Sequence, residues 1–394
     1  MPDTKNLAVK TLLMKDLIAS LALLVVCAWG ANIFAAESKP NWQAQWEKTV
    51  DGAKKEGKLS LYIYDGEDVL ATVARLFQKK YPEIDIVTTP GRGNTLAPRI
   101  MAERRAGKYL VDVYMAGVTT AYDVFYRAKI LDSVRAALIL PEVTDESKWW
   151  FGQHQYVDPE KRYIFVYVGN VNQYISYNTK FVQPGEIRSY WDFLHPKWKG
   201  RILSRDPKIS GSQRIGLRMI YYSPELGAEF IRRLYGETDI TITQEMRQAT
   251  DWLGAGKFAI CFFCSEIQKA KMQGVPVDEF DSAQWKEVRA ISTGNQGSVV
   301  LLTQQPHPNA ARLFVNWLLS REGQMAFQRT ANTPTNSEES MRSDIPKDVV
   351  RKELRRVDGV KYLLADSPQF MDMAPILEVV AKALAQSQGG KYAK

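Results

Sequence analysis

The chain has 394 residues, 45% hydrophobic and 24% charged, with three cysteines, three histidines and a formal net charge of +8. Basic and acidic residues alternate, as in RKELRR at 351–356, so the excess charge reads as solvated helical faces and not as a stripe for nucleic acid. No repeat or low-complexity run stands out, and beyond the first 30 residues no stretch is apolar enough to enter a bilayer.

Lys5, Lys10 and Lys15 precede the apolar run LIASLALLVVCAW (17–29) and the small residues of ANIFAAESKP. A basic start, a short apolar run and a small-residue end predict a cleaved export signal over 1–36, with the mature chain starting near Ala36 or Glu37. The run is short for an uncleaved membrane anchor, and Val26 is bulky where a lipid-anchored Cys27 would have a small neighbour. The protein is expected outside the cytoplasm, in the periplasm.

KLSLYIYDG (58–66) reads as a buried strand ending in a turn, after which Val69, Leu70, Val73, Leu76 and Phe77 recur at helical spacing. IDIVTTP (84–90) is a second strand, and GRGNTLAPRIMAERRAGK is a glycine turn running into a helix closed by Gly107. LVDVYMAG (110–117) is a third strand, so the order strand, helix, strand, helix, strand predicts a parallel sheet covered by helices.

RYIFVYVGNVNQYISYNTKF (162–181) is extended and broken by Gly169 and Asn170, and a second lobe is expected from there. Within it, SGSQRIGLRMIYY opens a helix, and KFAICFF with SEIQKAKMQG pairs a strand with a helix. GSVVLLTQ (297–304) resembles a strand of the first lobe, two amphipathic helices follow, and the remaining tail is helical by pattern. The domain reading is a leader over 1–36, a first lobe over 37–169, a second over 170–294, and a return to the first lobe with terminal helices over 295–394. Such a chain would hold a ligand cleft between its lobes.

The chain resembles the extracellular solute-binding proteins of ABC importers, in the branch that includes the ferric-iron binders. The resemblance is carried by YDGED, FQKKYPEIDIVTTPGRGN, ERRAGKYLVDVYMAG, YWDFLHPKWKGRI and HPNAARLFVNWLLSREGQ, which together span nearly the whole mature chain. It implies the type II periplasmic-binding fold, two α/β lobes joined by hinge strands. It also implies a small-molecule solute and the membrane subunits of a permease as partners. In this branch adjacent tyrosines hold the iron; here those positions fall on Phe263 and Cys264, a family histidine falls near Asp68 and a glutamate near Gly117. Ferric iron favours hard oxygen donors, so the resemblance argues against a bare iron ion here. Tyr221 and Tyr222 lie within a predicted helix, where aromatics are usually core.

On that fold four places face the cleft. In GRGN, Arg92, Gly93 and Asn94 bring exposed amides and a charge to a helix start capped by Asn94 or Thr95, with Pro98 still among amides that lack helical partners. In ISGSQ, Ser210 and Ser212 offer hydroxyls and Gly211 frees amides at a second helix start, and two such ends suit a carboxylate, sulfonate, phosphonate or phosphate. Each string also reads as ordinary capping. Asp65, Gly66 and Glu67 follow the first strand, where the acids would receive an ammonium group or simply stabilise a helix start. Gly117 joins the site through the resemblance. In the fourth place, Cys261 reads as a buried strand residue while Phe263, Cys264 and Ser265 border the ligand. A disulfide between Cys261 and Cys264 is left open, because it requires the strand to bend between them. Zinc would need further ligands, and beyond these cysteines the mature chain offers only His154, His195 and His307.

No nucleophile elbow, zinc-protease helix or phosphate loop is present, and GAGKF (254–258) lacks the spacing of the last. The expectation is therefore a non-enzymatic, monomeric solute receptor without cofactor, resident metal or nucleic-acid partner, closing its lobes around a small organic anion. Alternatives are an iron or iron-complex binder, a secreted two-lobe hydrolase using an acid pair, and a binding fold that presents its ligand to a sensor.

Overall fold

The computed structural model describes residues 41–394 apart from 67, 172–173, 210, 282–284, 288, 295, 388–390 and 393–394. The predicted leader, Cys27, Glu67 and Ser210 lie outside the described residues. Among the described residues no helix is long and apolar enough to cross a membrane.

The strand Lys58–Tyr64 lies between Asp85–Gly91 and Val113–Met115, parallel to both. Leu59, Leu61 and Ile63 are fully or almost fully buried, as an inner strand of a parallel sheet requires. The helix Val69–Lys80 turns Val69, Leu70, Val73, Ala74 and Phe77 inward, and Phe77 meets Phe314 and Trp317 edge to face. The returning strand Ser298–Leu302 runs antiparallel beside Val113–Met115 and pairs on with Phe165–Val166, which pairs with Gln155–Tyr156. Asp112 ties the layers together: it accepts from the Ser60 amide at 2.7 Å, the His307 amide at 2.8 Å and the His307 ring at 2.9 Å.

A second sheet has the order Val277–Glu279, Ile175–Asn178, Ile260–Phe262, Ile202–Arg205, Thr241–Thr243, Lys391–Tyr392, the last three pairings being parallel. Its core centres on Phe193, Phe230, Leu234, Phe262 and Phe263. The chain passes between the two sheets at Asn170–Val171, at Ala290–Ser292 and again in the tail after Ala331, and the first two of these segments pair antiparallel to form the hinge. A third short strand, Leu363–Leu364, lies parallel to Ala290–Ser292.

The tail departs from its expected pattern. Between the helix Arg321–Ala331 and the helix Ala374–Gln386, helical structure is limited to single 3-10 turns at Lys352–Leu354 and Pro368–Phe370, beside the short strand Leu363–Leu364. Side chains take over the backbone bonding there: Asn332 and Asn336 donate to main-chain oxygens, and Ser337 accepts from the Arg351 amide. RKELRR is not a solvated helical face, because Arg356 is 6% exposed and paired with Glu339 at 3.1 Å. In the final helix, Ile376, Val380 and Ala383 belong to the core of the second sheet.

Candidate functional site: the inter-lobe cleft

A cleft of about 1170 Å³ is lined from both sheets. Its walls are the segments that follow the carboxyl ends of parallel strands. Asp65 and Gly66 follow Lys58–Tyr64, Arg92 to Asn94 follow Asp85–Gly91, and Gly117, Thr119 and Thr120 follow Val113–Met115. From the second sheet come Arg205 at the end of Ile202–Arg205, Gln244 to Met246 after Thr241–Thr243, and Cys264 to Gln268 after Ile260–Phe262. Side chains and amides at such ends point out of the sheet, which is why open α/β sheets hold ligands there.

Arg205 is the unusual member. It is 4% exposed, its Nη2 donates only to the Gln244 carbonyl at 3.4 Å, and its Nε and Nη1 have no hydrogen-bond partner. Burial pulls its pKa below the usual arginine value, the charge of Arg92 adds to the shift, and Glu245 and Asp206 oppose it. Asp206 itself accepts from the Lys208 amide and the Gln244 side chain. Arg92 comes from the first lobe, lies 3.7 Å from Asp65 in a half-exposed ion pair, and reaches Met246 of the second lobe at 3.2 Å. Two cations from opposite lobes therefore converge, and a half-exposed pair such as Arg92 with Asp65 is worth little.

Other polar atoms of the cleft are also left over. Thr119 Oγ1, Ser265 Oγ and Gln296 Oε1 are buried and without partners, although buried polar groups are generally hydrogen-bonded. Near the hinge, Asn170 and Gln296 both donate to the carboxylate of Glu338. Burial pushes up the pKa of the Tyr64 hydroxyl; Arg92 opposes the shift, and Asp65, Glu338 and Glu266 add to it.

Of the residues expected in the site, Asp65, Gly66, Arg92, Gly93, Asn94, Gly117, Gly211, Cys264 and Ser265 line the cleft. Ser212 opens the helix Ser212–Tyr222 beside it. Phe263 does not line it: it is fully buried, and its ring fills the space that a side chain at Gly216 would need. Asp65 meets Arg92 instead of standing ready for an ammonium group. The first helix of the cleft starts at Gly93 with Arg92 as its cap, and Thr95 bonds back to Arg92 from inside the first turn. Pro98 is thus the sixth helical residue, where its missing N–H deprives the Asn94 carbonyl of a partner.

Cys261 and Cys264 form a disulfide with a Cα–Cα distance of 5.8 Å. The bend it requires is made by Phe263 at φ 69°, and Glu266 at φ 59° completes the turn into the helix Ile267–Met272. The histidines have structural roles: His154 donates to the Val143 carbonyl, His195 accepts from the Lys197 amide, and His307 serves Asp112. Tyr222 stacks on Phe370, 4.3 Å between centroids. Among the described residues no group of three His, Cys, Asp or Glu side chains could hold a metal.

Sequence reasoning missed Arg205, Thr119, Gln296 and Glu338. Only Arg205 had a local signal, a charge closing the apolar strand of ILSRDP.

The profile of the bacterial extracellular solute-binding proteins matches residues 59–330. A search of curated proteins found no match. Among solved structures, the chain is similar to the periplasmic binding protein AfuA from Actinobacillus pleuropneumoniae with fructose-6-phosphate bound, at 16% identity and TM-score 0.58, over 84% of this chain and 98% of that one. It is similar to iron-bound HitA from Pseudomonas aeruginosa, at 17% identity and TM-score 0.55, over 83% and 99%. A ferric binding protein from Campylobacter jejuni gives 14% identity and TM-score 0.60, over 82% and 99%. These likenesses are of fold. The chain belongs to the bacterial extracellular solute-binding proteins.

Proposed function

We propose that the cleft captures a small organic anion, of the phosphonate, sulfonate, phosphate or carboxylate kind, and hands it to an ABC permease. The observation that carries this reading is Arg205, a buried guanidinium with two nitrogen atoms lacking partners. A charge stripped of water in this way is costly unless it is paired, and an anion in the cleft supplies the pair. Arg92 approaches from the other lobe, so the same anion removes the repulsion between the two arginines. Contacts to both lobes favour the closed arrangement over the open one, which is how a binding event becomes a signal a permease can read. The helix starts at Gly93 and Ser212 add amides of the right polarity.

A bare ferric ion is a poor match. Of the two positions where the resemblance puts iron-binding tyrosines, Phe263 is buried in the core and Cys264 is held in a disulfide. Neither offers an oxygen donor.

The test is calorimetry on the processed, exported protein with alkyl phosphonates, sulfonates, phosphates, carboxylates and ferric salts. At least one anion class should bind, and Arg205→Gln should weaken it by about 10- to 100-fold, the range expected for charge-assisted hydrogen bonds. Binding of ferric ion alone, unaffected by Arg205→Gln, would overturn the reading.

A further inference from the structure

The anion reading leaves the hinge end of the cleft without a role. Gln296, 3% exposed, donates its Nε2 to Glu338 Oε1 at 3.2 Å. A carboxylate accepts and does not donate, so this bond fixes which way the amide faces. Oε1 is thereby left buried in the cleft with no partner. Asn170 is fixed in the same manner, its Oδ1 accepting from the Glu339 amide at 2.9 Å while its Nδ2 serves Glu338. Glu338 is 6% exposed and lines the cleft. Its charge reaches the Tyr64 hydroxyl together with those of Asp65 and Glu266. The cleft thus offers, besides the cations Arg92 and Arg205, an unused acceptor and a carboxylate next to Asn170 of the hinge.

We propose that the solute carries a protonated amine as well as its anionic group, and that the ammonium docks between Glu338 and Gln296 Oε1. This rests on the anion reading above. An ammonium has three donors and no acceptor, so it satisfies the orphaned Gln296 oxygen and places positive charge against Glu338. A solute with an apolar end at this position would instead bury Gln296 Oε1 with nothing to accept from. The receptor then selects zwitterionic solutes by offering partners for both charges in one cleft.

The test uses matched pairs that differ only in the amine: taurine against ethanesulfonate, phosphoethanolamine against ethyl phosphate, and 4-aminobutyrate against butyrate. In at least one pair the amine-bearing member should bind about tenfold or more tightly, one charge-assisted contact being worth that much. Glu338→Gln should remove most of the difference in affinity between the two members of that pair. Gln296→Met should shrink the same difference several-fold without removing the carboxylate, which covers the case in which Glu338→Gln fails to fold. Equal binding within every pair, or an equal loss for both members in either folded variant, would overturn the inference and leave the anion reading standing. If no member of any pair binds, or if Arg205→Gln is silent towards those that do, the anion reading falls and this inference falls with it.

Discussion

Arg356 and Arg205 are buried to nearly the same degree, 6% and 4% exposed, and their surroundings differ sharply. Arg356, in the tail that crosses the hinge, pairs with Glu339 at 3.1 Å and donates to the carbonyls of Gly169 and Ser340. Arg218 and Arg342, both fully buried, likewise have Asp366 and Asp344. Arg205, in the cleft, has one long bond to a carbonyl and no such carboxylate. The same residue type is thus used in two ways. Where the counter-charge belongs to the chain, the arginine locks the tail onto the hinge; where it does not, the arginine awaits a counter-charge from solution.

The comparison breaks most visibly at Glu339. Glu339→Gln strips the charge partner from Arg356 and also leaves Lys347, 3.9 Å away, with less compensation. Removing one partner of a buried pair costs about 3–5 kcal/mol, so chemical denaturation should show a loss of that order. Arg205→Gln in the ligand-free protein should cost nothing or raise stability, since it removes an uncompensated buried charge. Equal losses at the two sites would mean that Arg205 is architectural after all.

A smaller effect is expected at the disulfide. Changing both Cys261 and Cys264 to Ser opens a short loop, for which the chain-entropy account gives a loss of about 2 kcal/mol. The turn it closes holds two non-glycine residues, Phe263 and Glu266, at positive φ, a conformation that needs outside support. Cys264, Ser265 and Glu266 line the cleft, so solute affinity should fall several-fold in the same variant. Unchanged affinity with lowered stability would show that the turn keeps its shape without the bond.

Much of the fold was legible because strands of a parallel sheet print as short apolar or β-branched runs bounded by turns. The runs at 58–66, 84–90 and 110–117 appear as Lys58–Tyr64, Asp85–Gly91 and Val113–Met115. The glycine turns after those strands were legible for the same local reason. RKELRR misled because charge alternation looks alike on a solvated helix and in an irregular segment, and only burial separates the two. The disulfide was left open because it depends on Phe263 taking a left-handed conformation that its residue type disfavours. Gln296 and Glu338 meet across 42 positions of sequence, and no local pattern announces such a meeting.

The finest test lies inside the tail itself, where a lysine and an arginine share one carboxylate. Lys347 donates to the carbonyls of Ser340 and Arg342 at 2.7 Å each, and burial followed by the charge of Arg356 pushes its pKa down to about 7, with Glu339 and Asp344 opposing. Its ordinary value is 10.5. Between these values the unfolded chain holds the proton and the folded chain releases it, so stability rises with pH across the window. Below about 7 both forms are protonated and the penalty is constant. Arg356 cannot discharge in this way, because a guanidinium keeps its proton. Denaturation midpoints should therefore climb from pH 7 to about 9.5, stopping short of the region near 10 where tyrosines of the unfolded chain begin to ionise. Lys347→Met should flatten the climb while leaving Arg356 paired. Parallel pH profiles for the two proteins would show that Lys347 keeps its charge when folded, and that Glu339 sustains two buried cations instead of one.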